Sequence, residues 1–179
     1  MRRLTRRAVA DGIRLTPTSY IVLGLLDLAG EATPYELKRM VAAGVGNFWS
    51  LQHAQLYTET ARLTAAGYLE EEREETGRRR RRYRLNRSGR QALADWVATP
   101  TREFTELRDL ALLKLFFGAQ PKALAAEQLA VHETKLAEYE RLREQAEPAR
   151  ISSGPLLTLE SGIGHEREWV RFWRKLAAR

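Results

Sequence analysis

Gln52, Gln55, Glu59 and Arg62 recur at helical spacing in the stretch SLQHAQLYTETARLTAAG, and five consecutive arginines, Arg78 to Arg82, follow it. Such groups can read base edges from a helix in the major groove. A side-chain amide bonds adenine N6 and N7, and a guanidinium bonds guanine O6 and N7. Gln52 and Gln55 fit the first pairing and Arg62 the second. Glu59 either accepts from cytosine N4 or holds Arg62. Tyr57 can give its hydroxyl to phosphate while its ring packs on the segment that follows. His53 is either structural or phosphate-facing. Ser50, as the helix cap, and Thr58 complete this set. Arg78, Arg79, Arg80, Arg81 and Arg82 suit the tip of a β-hairpin laid on phosphate. Without context, the same stretch reads equally as a surface helix and a solvated, charged hairpin.

Composition supplies the context. The chain has 179 residues, 44% of them hydrophobic, and a net charge of +7. One domain or two small ones are expected. Residues 1–100 hold 17 Lys and Arg against 11 Asp and Glu, while residues 101–179 hold 13 against 12. The excess positive charge therefore sits in the first half, where a polyanion would bind. The chain has no cysteine, which excludes disulfides and thiolate metal sites and is compatible with a reducing cytosol. No apolar run approaches the roughly 20 residues that span a bilayer, so no membrane partner is expected. His53, His132 and His165 lack metal-ligand spacing, and no glycine-rich phosphate loop or nucleophile motif occurs. Neither an enzyme nor a cofactor is expected.

The supporting elements follow in order. Residues 1–16 form a basic arm with Arg2, Arg3, Arg6, Arg7 and Arg14. It could reach along DNA or be a frayed terminus. Thr16 and Pro17 start a helix to Ala29 whose run YIVLGLLDL is apolar nearly all round, and thus buried. Thr33-Pro34-Tyr35-Glu36 is a capping box for a second helix, with Lys38 and Arg39 outward and near phosphate. Phe48 and Trp49 read as a hydrophobic staple and core plug ahead of Ser50. The reader helix then runs to Ala66 and stops at Gly67, with Leu56, Thr60 and Leu63 on its inner face. Two extended runs, Leu69–Glu75 and Arg81–Asn86, join through Thr76-Gly77. Tyr83 and Leu85 point inward, and the acidic first strand faces solvent or pairs with the arginines opposite. Asn86 caps a further helix to Ala98, with Leu93, Trp96 and Val97 inward.

The succession TPYELKRM, FWSLQHAQLY, RLTAAGYLE, an arginine-rich wing and YRLNRSGRQALADW resembles the PadR family of winged helix-turn-helix regulators. Trp49, Tyr57, Leu63 with Gly67, and Tyr83, Leu85 and Gly89 match recurring family positions within residues 18–98. Pro34 stands where many members carry Gly. Thr60 stands where Leu is common, which implies looser packing or a shifted register. The resemblance implies a mainly α fold with a small β-hairpin. It places a winged helix-turn-helix domain at 17–100 and a C-terminal three-helix dimerisation region at 101–179. It also implies a sequence-specific regulator, a repressor in type, acting as a homodimer on palindromic double-stranded DNA in a bacterial cytoplasm, nucleoid-associated when bound.

In the C-terminal region, Glu106–Phe117 reads as a buried helix, and Pro121 to about Glu147 as a long one with Leu129, His132, Leu136 and Tyr139 on a seam. Pro148 and the ISSGP turn lead to a last helix, Leu156–Ala178, striped with Leu156, Leu159, Ile163, Val170 and Trp173. A stripe this wide needs a covering surface, from a partner or from the chain itself. Tyr20, Trp49, Phe104, Phe116, Trp169 and Trp173 could line a pocket for a small aromatic effector, as the resemblance implies, or be plain core. A competing reading keeps the winged helix as a scaffold for protein interaction or small-molecule sensing without specific DNA readout.

Overall fold

The computed structural model describes residues 12–73, 80–146 and 153–178. The arm arginines at 2, 3, 6 and 7, the Thr76-Gly77 turn with Arg78 and Arg79, and Pro148 lie outside the described residues. The chain divides into two compact units, Met1–Arg102 and Glu103–Arg179.

In the first unit, α1 (Pro17–Ala29) starts as the sequence predicts. Thr16 and Ser19 bond reciprocally, and Pro17 opens the helix, where its missing N–H costs nothing. Val22, Leu23, Leu25 and Leu26 are buried. Gly30 turns the chain at φ 76°, a left-handed value that suits glycine. Next, α2 (Pro34–Ala43) carries the predicted box: the Thr33 N–H donates to Glu36 Oε2 at 2.7 Å, and the Glu36 N–H donates to Thr33 Oγ1 at 3.2 Å. A single 3-10 turn, Val45–Asn47, leads to α3 (His53–Ala65).

Two expectations at the entry to α3 fail. Gln52, not Ser50, occupies the cap, because Gln55 reaches back and accepts the Gln52 N–H at 3.0 Å. Phe48 and Trp49 are exposed and do not plug the core. Leu51 takes that role: it directly precedes the cap, where a staple residue stands, and packs on the cluster containing Leu56. The inner face of α3 falls where the spacing puts it. Leu56, Thr60 and Leu63 are all buried. Thr60 causes no register shift, because its hydroxyl donates to the Tyr57 carbonyl at 3.0 Å and so enters the core already bonded.

The sheet has order β1-β3-β2, all antiparallel, with β1 (Glu31–Ala32), β2 (Leu69–Arg73) and β3 (Arg81–Leu85). The hairpin is the predicted one. The third strand was not legible, since two residues carry no alternation. Tyr83 and Leu85 point inward as expected. Asn86 caps α4 (Arg87–Ala98), accepting the Gly89 N–H at 2.9 Å. Ala92 and Leu93 pack on the core, whereas Trp96 and Val97 are exposed, contrary to the sequence reading. Trp96 stacks instead on Tyr20 of α1, with ring centroids 4.5 Å apart.

The second unit holds α5 (Leu110–Phe116), α6 (Pro121–Gln145) and α7 (Ser153–Ala177). The predicted helix from Glu106 shrinks to α5 because the Asp109 carboxylate accepts the Ala111 and Leu112 N–H groups and sets the start there. It is buried on one side only: Ala111 is buried and Leu112 and Leu115 pack on the core, whereas Leu110, Leu113, Phe116 and Phe117 are exposed. Gly154 and Pro155 of the predicted turn lie instead in the first turn of α7, where proline is tolerated. The stripe on α7 packs against α6. Ile163, Val170 and Trp173 are buried, as are Tyr139 and Ala125 of α6, so the chain itself covers much of the face that the sequence left in need of a surface. Among the described residues, no helix is long and apolar enough to cross a membrane.

Candidate nucleic-acid interface

One face of α3 and the residue that caps it point away from the core. Gln52, His53, Gln55, Tyr57 and Thr58 are exposed, and so are Ala54 among them and Ala61 one turn further on. Sequence reasoning passed over Ala54 and Ala61 because alanine carries no hydrogen-bonding group. Their value is steric: small side chains allow a helix to approach a groove closely, and a methyl can meet the thymine methyl. Lys38 is half-buried and Arg39 exposed on α2, so only Arg39 is fully outward. Ser50 is exposed one residue before Leu51.

Glu59 and Arg62 are placed differently from the sequence reading, which set them on the reading face. Glu59 is only 8% exposed and lies against α1. It accepts from Ser19 Oγ at 2.6 Å and from Arg62 Nε at 2.8 Å and Nη2 at 2.6 Å. The Arg62 Nη2 group also reaches Ser19 Oγ at 2.9 Å, and Nη1 donates to the Arg14 carbonyl at 3.3 Å. Burial alone would push the Glu59 carboxyl up. The hydrogen bonds from Arg62 and Ser19, with the Arg62 charge, outweigh it and hold the carboxyl below the ordinary glutamate value. The alternative in which Glu59 holds Arg62 is the one the geometry takes, and Arg62 is not free to read guanine. Ser19 was missed because nothing local marks a serine in an apolar helix as the partner of a residue forty positions later.

On the wing, the arginines of β3 are matched by glutamates. Arg84 Nε lies 2.7 Å from Glu70 Oε2, and Arg82 Nε lies 2.8 Å from Glu31 Oε1 on β1. Arg81 Nε is 3.8 Å from Glu71, which Arg73 approaches at 2.5 Å. The hydrogen bond from Arg73 leads the effects that lower the Glu71 carboxyl. Tyr83 donates its hydroxyl to the same glutamate at 3.2 Å, and burial pushes that phenol up. The acidic first strand thus pairs with the arginines opposite. Arg80 and Arg81 are exposed at the described end of the wing.

The six aromatics suggested for an effector separate by unit. In the first, Tyr20 is engaged with Trp96, and Trp49 is exposed. In the second, Phe104 is 99% exposed, and Phe116 is exposed and edge-on to Phe117. Trp169 stacks on His132 at 5.7 Å and lies near Phe172 and Trp173. Trp173 belongs to the core, as the plain alternative had it. Its indole Nε1–H is buried without an acceptor among the described residues. His132 Nδ1 lies 2.6 Å from Glu166, a contact between α6 and α7, and no cluster of His, Asp or Glu among the described residues could hold a metal ion.

Residues 22–95 match the model of the transcriptional regulator PadR-like family, and residues 107–179 match that of the virulence activator alpha C-terminal family. The chain is 30% identical over 173 residues to a Bacillus subtilis protein described as negative transcriptional regulator PadR, covering 89% of this chain and 94% of that one. The crystal structure of Bacillus subtilis PadR in complex with operator DNA superposes with a TM-score of 0.78 at 27% identity, covering 93% of this chain and 99% of that one. The same protein in complex with p-coumaric acid gives a TM-score of 0.73 at 26% identity, covering 89% and 96%.

Proposed function

The chain belongs to the PadR-like family of transcriptional regulators, and on that premise we propose that it represses transcription as a homodimer that reads a palindromic operator through α3 and is released by a small aromatic effector. The family is one of regulators and not of enzymes. The observation that carries the DNA reading is the outward half of α3, where Gln52, His53, Gln55, Tyr57 and Thr58 stand among exposed alanines. Gln52, Gln55 and Thr58 face bases in this reading. His53, Tyr57, Ser50, Lys38 and Arg39 hold phosphate, with Arg78 to Arg81 on the wing supplying the salt-dependent share and Arg82 engaged by Glu31.

Dimerisation is supported by the second unit. Leu107, Leu110, Leu113, Phe116 and Phe117 form a run of exposed large apolar side chains within eleven residues. Water-exposed apolar surface of that size marks an interaction site. Two copies would set two reader helices about one helical turn apart, roughly 34 Å, on a two-fold site. The effector is supported by the unsatisfied Trp173 indole N–H of a side chain that lies by the Trp169 and Phe172 rings, with His132 stacked on Trp169. An aromatic acid would offer that donor an acceptor, and the relative from Bacillus subtilis has been crystallised with one.

Selection from a pool of random duplexes tests the reading. Enrichment of a palindrome, bound by two copies and lost on titration with p-coumaric acid, is the expected result. Salt-driven binding with no enriched sequence would refute specific readout and favour the scaffold alternative.

A further inference from the structure

Arg14 lies two residues before the cap of α1, and its side chain is exposed. Neither a hydrogen bond nor an ion pair holds its guanidinium among the described residues. Its backbone, by contrast, is held. The Arg14 carbonyl accepts from Arg62 Nη1 at 3.3 Å, and Arg62 is itself locked to Glu59 and Ser19. The chain entering α1 is therefore fastened to the reader helix, forty-eight residues away in sequence.

We propose that Arg14 grips a phosphate beside the groove that α3 enters, and that Arg62 is the positioning residue that delivers it. The proposal rests on the DNA-binding reading above. A long cationic side chain on a loose terminus loses much of its attraction to the entropy of being ordered. Fixing its backbone beforehand removes part of that cost. Arg62 can do so because its donors point in different directions: Nε and Nη2 serve Glu59 and Ser19, and Nη1 alone remains for Arg14. A lysine has one nitrogen at the end of its chain and cannot reproduce that fork. Phosphates flank a reader helix on both sides, and such contacts fix register without reading sequence. Arg14 has the exposure and the lack of a competing carboxylate that the role requires. Arg82 and Arg84 on the wing do not, since Glu31 and Glu70 hold them.

The test compares the full-length wild type with R14Q, R62K and R14Q/R62K on two duplexes, the best one selected and one of unrelated sequence. R14Q is expected to weaken binding to both by a similar factor and to lower the salt slope by about 1. Raising salt from about 50 to about 200 mM would then cost it roughly 3-fold less affinity than the wild type loses. R62K is expected to lower the slope by the same amount, and the double variant to match R14Q alone. Trypsin supplies a readout without DNA, since cleavage after Arg14 attacks the carbonyl that Arg62 holds. R62K is expected to be cut there faster than the wild type. If R62K does not fold, E59Q/R62Q makes the same comparison without a stranded carboxylate. A wild-type slope in R14Q, a further slope loss in the double variant, or unchanged cleavage at Arg14 would each overturn the proposal. A wild type without duplex preference would overturn the regulator reading, whereas the tryptic result judges the tether by itself.

Discussion

A Cβ on Gly89 would stand 2.3 Å from the carbonyl oxygen of Tyr68. No heavy-atom pair tolerates that distance, so the first turn of α4 rests on the backbone leaving α3 only because residue 89 lacks a side chain. The neighbouring bonds explain the closeness. The Asn86 N–H donates to the same Tyr68 carbonyl at 3.3 Å, and Asn86 Nδ2 donates to the Gly67 carbonyl at 2.7 Å. The glycine that the family pattern picks out is thus a packing requirement at the junction of reader helix, wing and α4.

Gly89→Ala should accordingly destabilise the first unit. Overpacking of this kind typically costs about 1–3 kcal/mol, and here the obstacle is backbone, which cannot rotate away. Denaturant unfolding of the full chain should show the loss at the top of that range or above it. An unchanged midpoint would contradict the geometry.

Acid should weaken the same unit through Glu59. Its carboxyl is held below the ordinary value in the folded chain. The folded state therefore binds this proton less readily than the unfolded state. The stabilisation is complete above the ordinary glutamate value and is lost as pH falls through the folded value. Glu36 and Glu71 are shifted in the same direction, so the Glu59 share needs a variant. E59Q should cost about 2 kcal/mol at neutral pH, less than a fully buried pair because Arg62 still reaches solvent. Its stability should also fall less steeply below the ordinary value. An acid profile parallel to the wild type would show that Glu59 is not among the groups responsible.

Two glycines of α7 should respond oppositely to alanine. A Cβ on Gly162 would meet Tyr139 Cε2 at 3.0 Å, while one on Gly164 would meet nothing within 4 Å. Gly164→Ala should stabilise by about 0.5–1 kcal/mol through helix propensity. Gly162→Ala gains the same term but must displace a buried ring, so it should be neutral or destabilising. Thermal melts of the two variants side by side decide this, and equal stabilisation would mean that α6 and α7 are not packed as described.

The glutamates of the sheet should restrain DNA affinity. Glu31 holds Arg82 in a partly exposed pair and Glu70 holds Arg84 in an exposed one, each worth little to stability. E31Q/E70Q should leave the melting temperature nearly unchanged and tighten binding to any duplex, with a steeper salt slope. Titrations at several salt concentrations measure it. Unaltered binding would place the outer face of the sheet away from phosphate.

The capping residues Thr16, Thr33 and Asn86 were legible because cap chemistry is local, and the inner faces of α3 and of the hairpin were legible from periodicity alone. What escaped were facts that depend on distant segments. Glu59 and Arg62 share the spacing of a reading face, but Ser19, forty residues earlier, turns them inward. Phe48, Trp49, Trp96 and the apolar run around α5 are hydrophobic by composition and exposed by position, because hydrophobicity shows that a residue prefers cover without showing what covers it. The pairing of β1 with β3 likewise needs the fold, since two residues are too few to show a period.

The lock of Ser19, Glu59 and Arg62 has a mechanical consequence. It joins the first turn of α1 to the second and third turns of α3 through partly buried, charged hydrogen bonds, so α3 is tied to α1 rather than free to roll alone. Under the proposed function, a signal that removes the protein from DNA therefore has to move the reading surface together with the helix behind it. In the proposed dimer, release would then appear as a change in how far apart two such bodies stand and how they are inclined, with the shape of each left intact.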